Sequence, residues 1–325
     1  MSRCSPLWAV VLSAGACVES TGPGTLTDPA GVRSSLDAID TVFTSPVARS
    51  AGAFLYGLPI PRPVGGAPLI PDSLLGKTLA FSCDSQRFVL TAQTGAPPHA
   101  VRLTLYQLAS VGSILCPATA IGQLDLTDAS TGDTTAVHAT ATGVGDGAAY
   151  LDYTIRHATA DPPFAATAVG WVSDGQQRVD FQGAGHYAAA LHSGITVIQL
   201  DDSAADAHAT LNDSGYMGVD TWSDDVDLSF RHGGVTLGLS GAESWANTFM
   251  SWDEIVRVNS VPFAKVGGTA VPEGGQPTLT PLTLPVPFTG EERLLVLDLV
   301  AAPRTLQLDV ARSLSAGAHL VGIAL

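Results

Sequence analysis

The chain is poor in positive charge. Of its 325 residues only Lys77 and Lys265 are lysine, and Lys plus Arg is 15 against 30 for Asp plus Glu, a formal net charge of −15. An acidic surface without a basic stripe repels phosphate, so nucleic acid is excluded as a partner. Charged residues make up only 14% of the chain and just six are Glu, which excludes a long coiled coil. Long apolar runs are also missing. None approaches the roughly 20 residues of a transmembrane helix, so the positive mean hydropathy of +0.26 does not signal a membrane bundle. The linear signatures of common enzymes are absent as well: no G-x-S-x-G, H-E-x-x-H, P-loop, G-x-G-x-x-G or C-x-x-C. Scattered triads survive that test, but the balance favours a non-catalytic protein with no assigned catalytic residue and no required cofactor. What is plentiful is apolar material, at 46%, with 34 Gly and 21 Pro. That excludes disorder as the overall state.

Cysteine is scarce, and its four positions are informative. Arg3 precedes the apolar stretch Leu7–Leu12 and the small residues Ser13–Ala16, the layout of an export signal. Ala14-Gly15-Ala16-Cys17 resembles the lipobox of bacterial lipoproteins, with Ala14 where the usual box has Leu. The resemblance implies that Cys17 is lipidated and becomes the first mature residue. It further implies membrane attachment through that lipid and, because Val18 rather than Asp follows, the bacterial outer membrane or periplasm; plain secretion is the alternative. Cys4 leaves with the signal. Cys83 and Cys116 then form an even pair in an oxidising compartment and are a disulfide candidate closing a loop of about 33 residues.

The chain divides by composition. Residues 1–16 read as signal peptide and 17–27 as tether. Residues 28–56 read as a helical segment, 57–76 as a Pro-rich connector, and 77–325 as an antiparallel β domain with a Pro-rich insertion at 271–287. Asp28-Pro29 is a helix-start signal, and Val32, Leu36, Ile39 and Phe43 form one helical stripe. Ser45-Pro46 repeats the signal. From about residue 77 the period becomes two. Val226-Asp-Leu-Ser-Phe230 and Val235-Thr-Leu-Gly-Leu239 flank a Gly-Gly turn and predict a hairpin with one buried face. Asp146-Gly147 and Asp174-Gly175 mark further turns. Near the C-terminus, Thr289-Gly-Glu-Glu292 has the form of a capping box, so Leu294–Val300 is expected as a short helix, with a strand through Leu295, Leu297 and Leu299 as the alternative. Leu306, Leu308 and Val310 alternate as a final strand would. The fold class is therefore mainly β: a large antiparallel curved sheet or half-barrel, carrying one or two short N-terminal helices, with a β-sandwich as the alternative. The half-barrel reading is similar in architecture to periplasmic lipoprotein carriers, though no motif carries that likeness.

Two groups of side chains are candidate sites. From Val179 to Phe230 there is no Lys or Arg but nine Asp. Asp201-Asp202 and Asp224-Asp225 are candidate ligands for Ca²⁺, a hard cation that prefers oxygen; the plainer reading is a solvated acidic face. Trp222, Trp245, Phe249 and Trp252 are candidate ligand contacts if exposed and core if buried. Asp253-Glu254, beside Trp252, suggests a carboxylate pair, but adjacent strand residues point to opposite faces. His138, His157, His186, His192 and His208 read as strand histidines rather than as a zinc site. Three functional classes follow. The leading one is a non-catalytic envelope lipoprotein that binds an apolar ligand or an envelope protein. The others are an adhesive or structural β domain with Ca²⁺ as its stabilising ion, and an exported hydrolase.

Overall fold

The computed structural model describes residues 26–56, 60, 68–109, 113–145, 147–158, 164–188, 193–217, 221–246, 249–270, 276–282 and 287–323. Cys17, the tether, Asp146 and His192 lie outside the described residues. The first element, α1 (Pro29–Phe43), starts where the cap signal places it. Asp28 Oδ1 accepts from the Gly31 amide at 2.9 Å, and Val32, Leu36, Ile39 and Phe43 are all buried. α2 (Pro46–Gly52) follows directly, and a 3₁₀ turn, Ala53–Tyr56, extends it.

The strands then follow in order: β1 (Thr78–Ser82), β2 (Arg87–Leu90), β3 (Ala100–Tyr106), β4 (Ala120–Asp128), β5 (Thr134–Gly143), β6 (Ala149–Ala158), β7 (Phe164–Ser173), β8 (Arg178–Ala188), β9 (Ser193–Asp202), β10 (Ala207–Met217), β11 (Thr221–His232), β12 (Val235–Ala246), β13 (Phe249–Val258), β14 (Val261–Ala270) and β15 (Thr278–Pro281). They form one open sheet of fifteen strands with β2 and β15 at its edges, neither closed into a barrel nor split into a sandwich. From β3 onward each strand pairs antiparallel with the next. Among the described residues the one parallel pair is β1 with β3, where Thr78 faces Arg102. A meander of short hairpins explains the antiparallel order, since parallel neighbours need long crossovers. At the β11–β12 turn Gly233 and Gly234 take φ of 54° and 80°, the pair of positive values a type I′ turn requires.

One face of the sheet, the inner face, carries the helices. Leu151, Tyr153, Phe181, Leu200, Leu228, Phe230, Leu239 and Val256 point to it and are buried. The last helix, α3 (Gly290–Val321), corrects the C-terminal reading in two ways. It is 32 residues long rather than a short helix of Leu294–Val300. The alternation of Leu306, Leu308 and Val310 is not a strand: Leu306 and Val310 are buried one turn apart, while Leu308 is 43% exposed. The β domain therefore ends at β15. Leu295, Leu299, Ala302, Leu306, Val310 and Leu314 recur at three and four residues, which is the helical stripe. The Thr289–Glu292 capping box is formed by both of its hydrogen bonds. α3 packs on α1 and α2 and crosses to β6, where the Tyr153 hydroxyl donates to the Leu314 carbonyl at 3.2 Å and accepts from the Gly317 amide at 3.1 Å. Thus α1, α2 and α3 occupy the inner face that a half-barrel would leave to a ligand.

Candidate functional site

Two places in the fold combine chemistry with space. The first lies where α2, the 3₁₀ turn, the β1–β2 hairpin and β3 meet. A cavity of about 260 Å³ there is lined by Phe54, Phe81, Phe88, Tyr106, Leu108 and Ile114, together with Ser50, Ala53, Gln86, Thr104 and Ser113. Four rings form its wall in tilted and edge-on contacts. Phe88 lies 5.5 Å from Phe54, 5.7 Å from Phe81 and 6.3 Å from Tyr106. Strand alternation fails at β3 for this reason: Thr104 and Tyr106, on the polar side of the pattern, are buried here as well. Three polar groups of the wall have protein partners. Ser50 Oγ accepts from the Tyr106 amide at 2.9 Å, and the Tyr106 hydroxyl accepts from the Phe81 amide at 3.2 Å. Gln86 Nε2 donates to the Cys83 carbonyl at 2.7 Å. Cys83 and Cys116 are joined by a disulfide with a Cα–Cα distance of 5.9 Å, which ties the β1–β2 turn to the segment after Ile114.

The second place is on the inner face toward the far end of β10–β13, and strand register builds it. Trp222 of β11 faces Trp245 of β12, which faces Met250 of β13. One step inward, Asp224 faces Glu243, which faces Trp252. One further step inward come Asp213 of β10, Val226, Gly241 and Glu254. Four carboxylates therefore share one patch of the inner face. α3 supplies Arg304, whose guanidinium stacks 4.3 Å from the Trp222 ring centre and pairs with Glu243 Oε2 at 3.0 Å. Gln307 of α3 donates from Nε2 to Asp213 Oδ2.

One guanidinium does not balance four carboxylates. Burial, reinforced by Asp213, raises the Asp224 carboxyl to about 7, and burial with the Glu243 charge raises Glu254 to about 8. Glu243 and Asp213 are also raised by burial, against the pull of Arg304 on the first and of the Gln307 amide on the second. Glu254 is fully buried and neither of its oxygens has a hydrogen-bond partner; Asp213 Oδ1 also lacks one.

The aspartates singled out in the sequence do not converge. Asp201 and Asp202 end β9, whereas Asp224 and Asp225 align with Gly215 and Ser214, which face Gly194 and Ile195 at the start of that strand. The separation is about seven residues, roughly 23 Å of strand. Asp202 is fully buried in a turn, accepting from the Ala204 and Ala205 amides at 3.0 and 3.1 Å. Asp201 points to the outer face and bonds His208. Asp225 also points outward, so only Asp224 joins the cluster. Among the described residues no three His, Cys, Asp or Glu side chains are placed to hold a metal ion. The aromatics divide too. Trp252 is core at 8% exposure, Phe249 is 51% exposed, and Trp222 and Trp245 are half-buried neighbours. Asp253 and Glu254 do point oppositely: Asp253 meets Lys265 at the surface, and Glu254 lies inside.

Comparison with known protein families, curated proteins and solved structures finds no match to this chain. Among the described residues no helix is long and apolar enough to cross a membrane.

Proposed function

We propose that the protein is a non-catalytic binding protein that takes an apolar small molecule into the aromatic cavity between α2 and the β1–β3 end of the sheet. The observation that carries this reading is a wall of four aromatic rings around about 260 Å³. A dry cavity of roughly 150 Å³ already accommodates benzene. Ser50 and Tyr106 accept from backbone amides and Gln86 donates to a carbonyl, while the four rings offer a guest their faces and edges. This selects compact apolar or aromatic molecules. The disulfide and the Gln86 side chain hold the hairpin that forms one wall, so the site is preorganised.

The cellular setting we propose is the bacterial envelope, with the chain exported and held at a membrane by lipid on Cys17. Its support is the sequence around Cys17 alone. Intact mass of the membrane fraction tests it: a diacylated chain starting at Cys17 is expected, and an unmodified chain in the medium refutes it. Binding is tested separately, by ligand-observed NMR with toluene and indole. Saturation transfer to both is expected with the native protein. It should be lost in Ala53→Phe, which fills the cavity from its 3₁₀ wall, while the circular dichroism spectrum is kept. Equal transfer to both proteins would place the guest elsewhere and sink the assignment.

A further inference from the structure

The aromatic cavity lies at a fork in the sheet, and the fork puts hydroxyl groups on its wall. Among the described residues β1 and β3 pair at two positions, Thr78 with Arg102 and Leu79 with Leu103. Beyond them, side chains take the place of a strand partner. The Phe81 amide donates to the Tyr106 hydroxyl at 3.2 Å, and the Tyr106 amide donates to Ser50 Oγ at 2.9 Å. Each of these hydroxyls uses its oxygen to satisfy a backbone N–H. A hydroxyl also carries one proton of its own to donate. Neither proton is taken by an acceptor among the described residues.

Thr104, two residues before Tyr106, also lines the cavity. It is 7% exposed, and its hydroxyl has no hydrogen-bond partner of either kind among the described residues. A buried hydroxyl without a partner is costly, and a guest that supplies the partner removes the cost. What the wall leaves over is donors, since the Ser50 and Tyr106 oxygens already accept. The matching group on a guest is therefore an acceptor oxygen. The guest is neutral as well, because no Asp, Glu, Lys, Arg or His lines the cavity to meet a charge.

We propose that the guest of the aromatic cavity is a neutral aromatic carbonyl compound, a small aryl ketone or aldehyde, whose oxygen accepts from the Thr104 hydroxyl. Its ring packs among Phe54, Phe81, Phe88 and Tyr106. Thr104 is the specificity-determining residue, because its hydroxyl, unlike those of Ser50 and Tyr106, holds no part of the backbone. The inference rests on the reading of this cavity as the binding site and adds to it the one polar atom of the guest.

Ligand-observed NMR titrations of the full chain with acetophenone and α-methylstyrene test the proposal. The two probes share one shape, with the carbonyl oxygen of the first replaced by CH₂ in the second. A purely apolar wall favours the alkene, because the ketone oxygen leaves water without a new partner. The native chain is expected to bind both and to hold the ketone at least as tightly as the alkene. Thr104→Val keeps the branched shape and breaks no hydrogen bond of the fold. It should weaken acetophenone by about tenfold or more and leave α-methylstyrene unchanged, which also shows that the variant is folded. Ala53→Phe should abolish binding of both. If the native chain prefers the alkene, or if Thr104→Val weakens both probes alike or neither, the inference is overturned while the cavity keeps its apolar guest. If neither probe binds the native chain, the cavity reading fails and this inference with it.

Discussion

Glu254 sits in an environment far from the one its chemistry favours. Its carboxyl is fully buried without a partner and is lifted from 4.5 to about 8, first by burial and then by Glu243. The folded state therefore holds a proton on Glu254 that the unfolded chain gives up above about pH 4.5. Stability must fall as pH rises through the interval from about 4.5 to 8, because there the native state binds more protons. Asp224, lifted to about 7, adds to the same slope over 3.8 to 7. Glu254→Gln removes the titration while keeping the shape. Its expected signature is an unfolding free energy close to native at pH 4.5 and higher by a few kcal/mol at pH 8.5. Urea melts at the two pH values measure this, and equal differences at both would show that Glu254 is not protonated in the fold. Part of this site was legible. In β11, Asp224 lies on the same alternating stripe as Val226, Leu228 and Phe230, so a carboxylate on an apolar stripe was there to be read. Glu243 follows Leu237 and Leu239 in the same way, and Glu254 precedes Val256 and Val258. What sequence does not contain is register, which alone sets Asp224 opposite Glu243 and sends Asp201 to the other end of the sheet.

At the scale of elements, α3 decides how the helical layer meets the sheet. Its start was readable from Thr289 and Glu292, whereas its continuation past Pro303 was not, because proline inside a helix normally ends it. The Leu306–Val310 alternation fitted a strand over five residues, and only the stripe from Leu295 to Leu314 distinguishes the two. The helix approaches β6 closely at Gly317. A Cβ there would lie 2.8 Å from Ile155 Cγ2 and 2.9 Å from Tyr153 Cε2, both on buried side chains. Gly317→Ala should gain up to ~1 kcal/mol of helix propensity and lose about 1–3 kcal/mol to overpacking, so a net destabilisation is expected. Thermal melts should show a lower Tm. A raised Tm would mean that α3 is not seated against Tyr153. The pairing of Cys83 with Cys116 also belongs to this scale. Replacing both with Ser frees a loop of 33 residues and should cost roughly 3–4 kcal/mol, read as a Tm lower by about 6–10 °C. Toluene binding should weaken with it, because the β1–β2 hairpin forms one wall of the cavity.

For the molecule as a whole, the strands were readable because each hairpin announces itself locally, through period-two alternation broken by Gly-rich turns. That all fifteen join one open sheet, rather than two in a sandwich, depends on what covers the inner face. Here α1, α2 and α3 supply the second layer, so no second sheet is needed. The same layer fills the space a half-barrel would offer and moves the aromatic cavity to one end, beside the short β1–β2 hairpin. The account of function rests on that cavity accepting an apolar guest. Crystals of the protein pressurised with xenon test this most directly, since xenon enters dry apolar cavities without needing a polar handle. The account predicts an anomalous peak among Phe54, Phe81, Phe88 and Tyr106. Ordered water bonded to the cavity wall, with no xenon at that position, would contradict it.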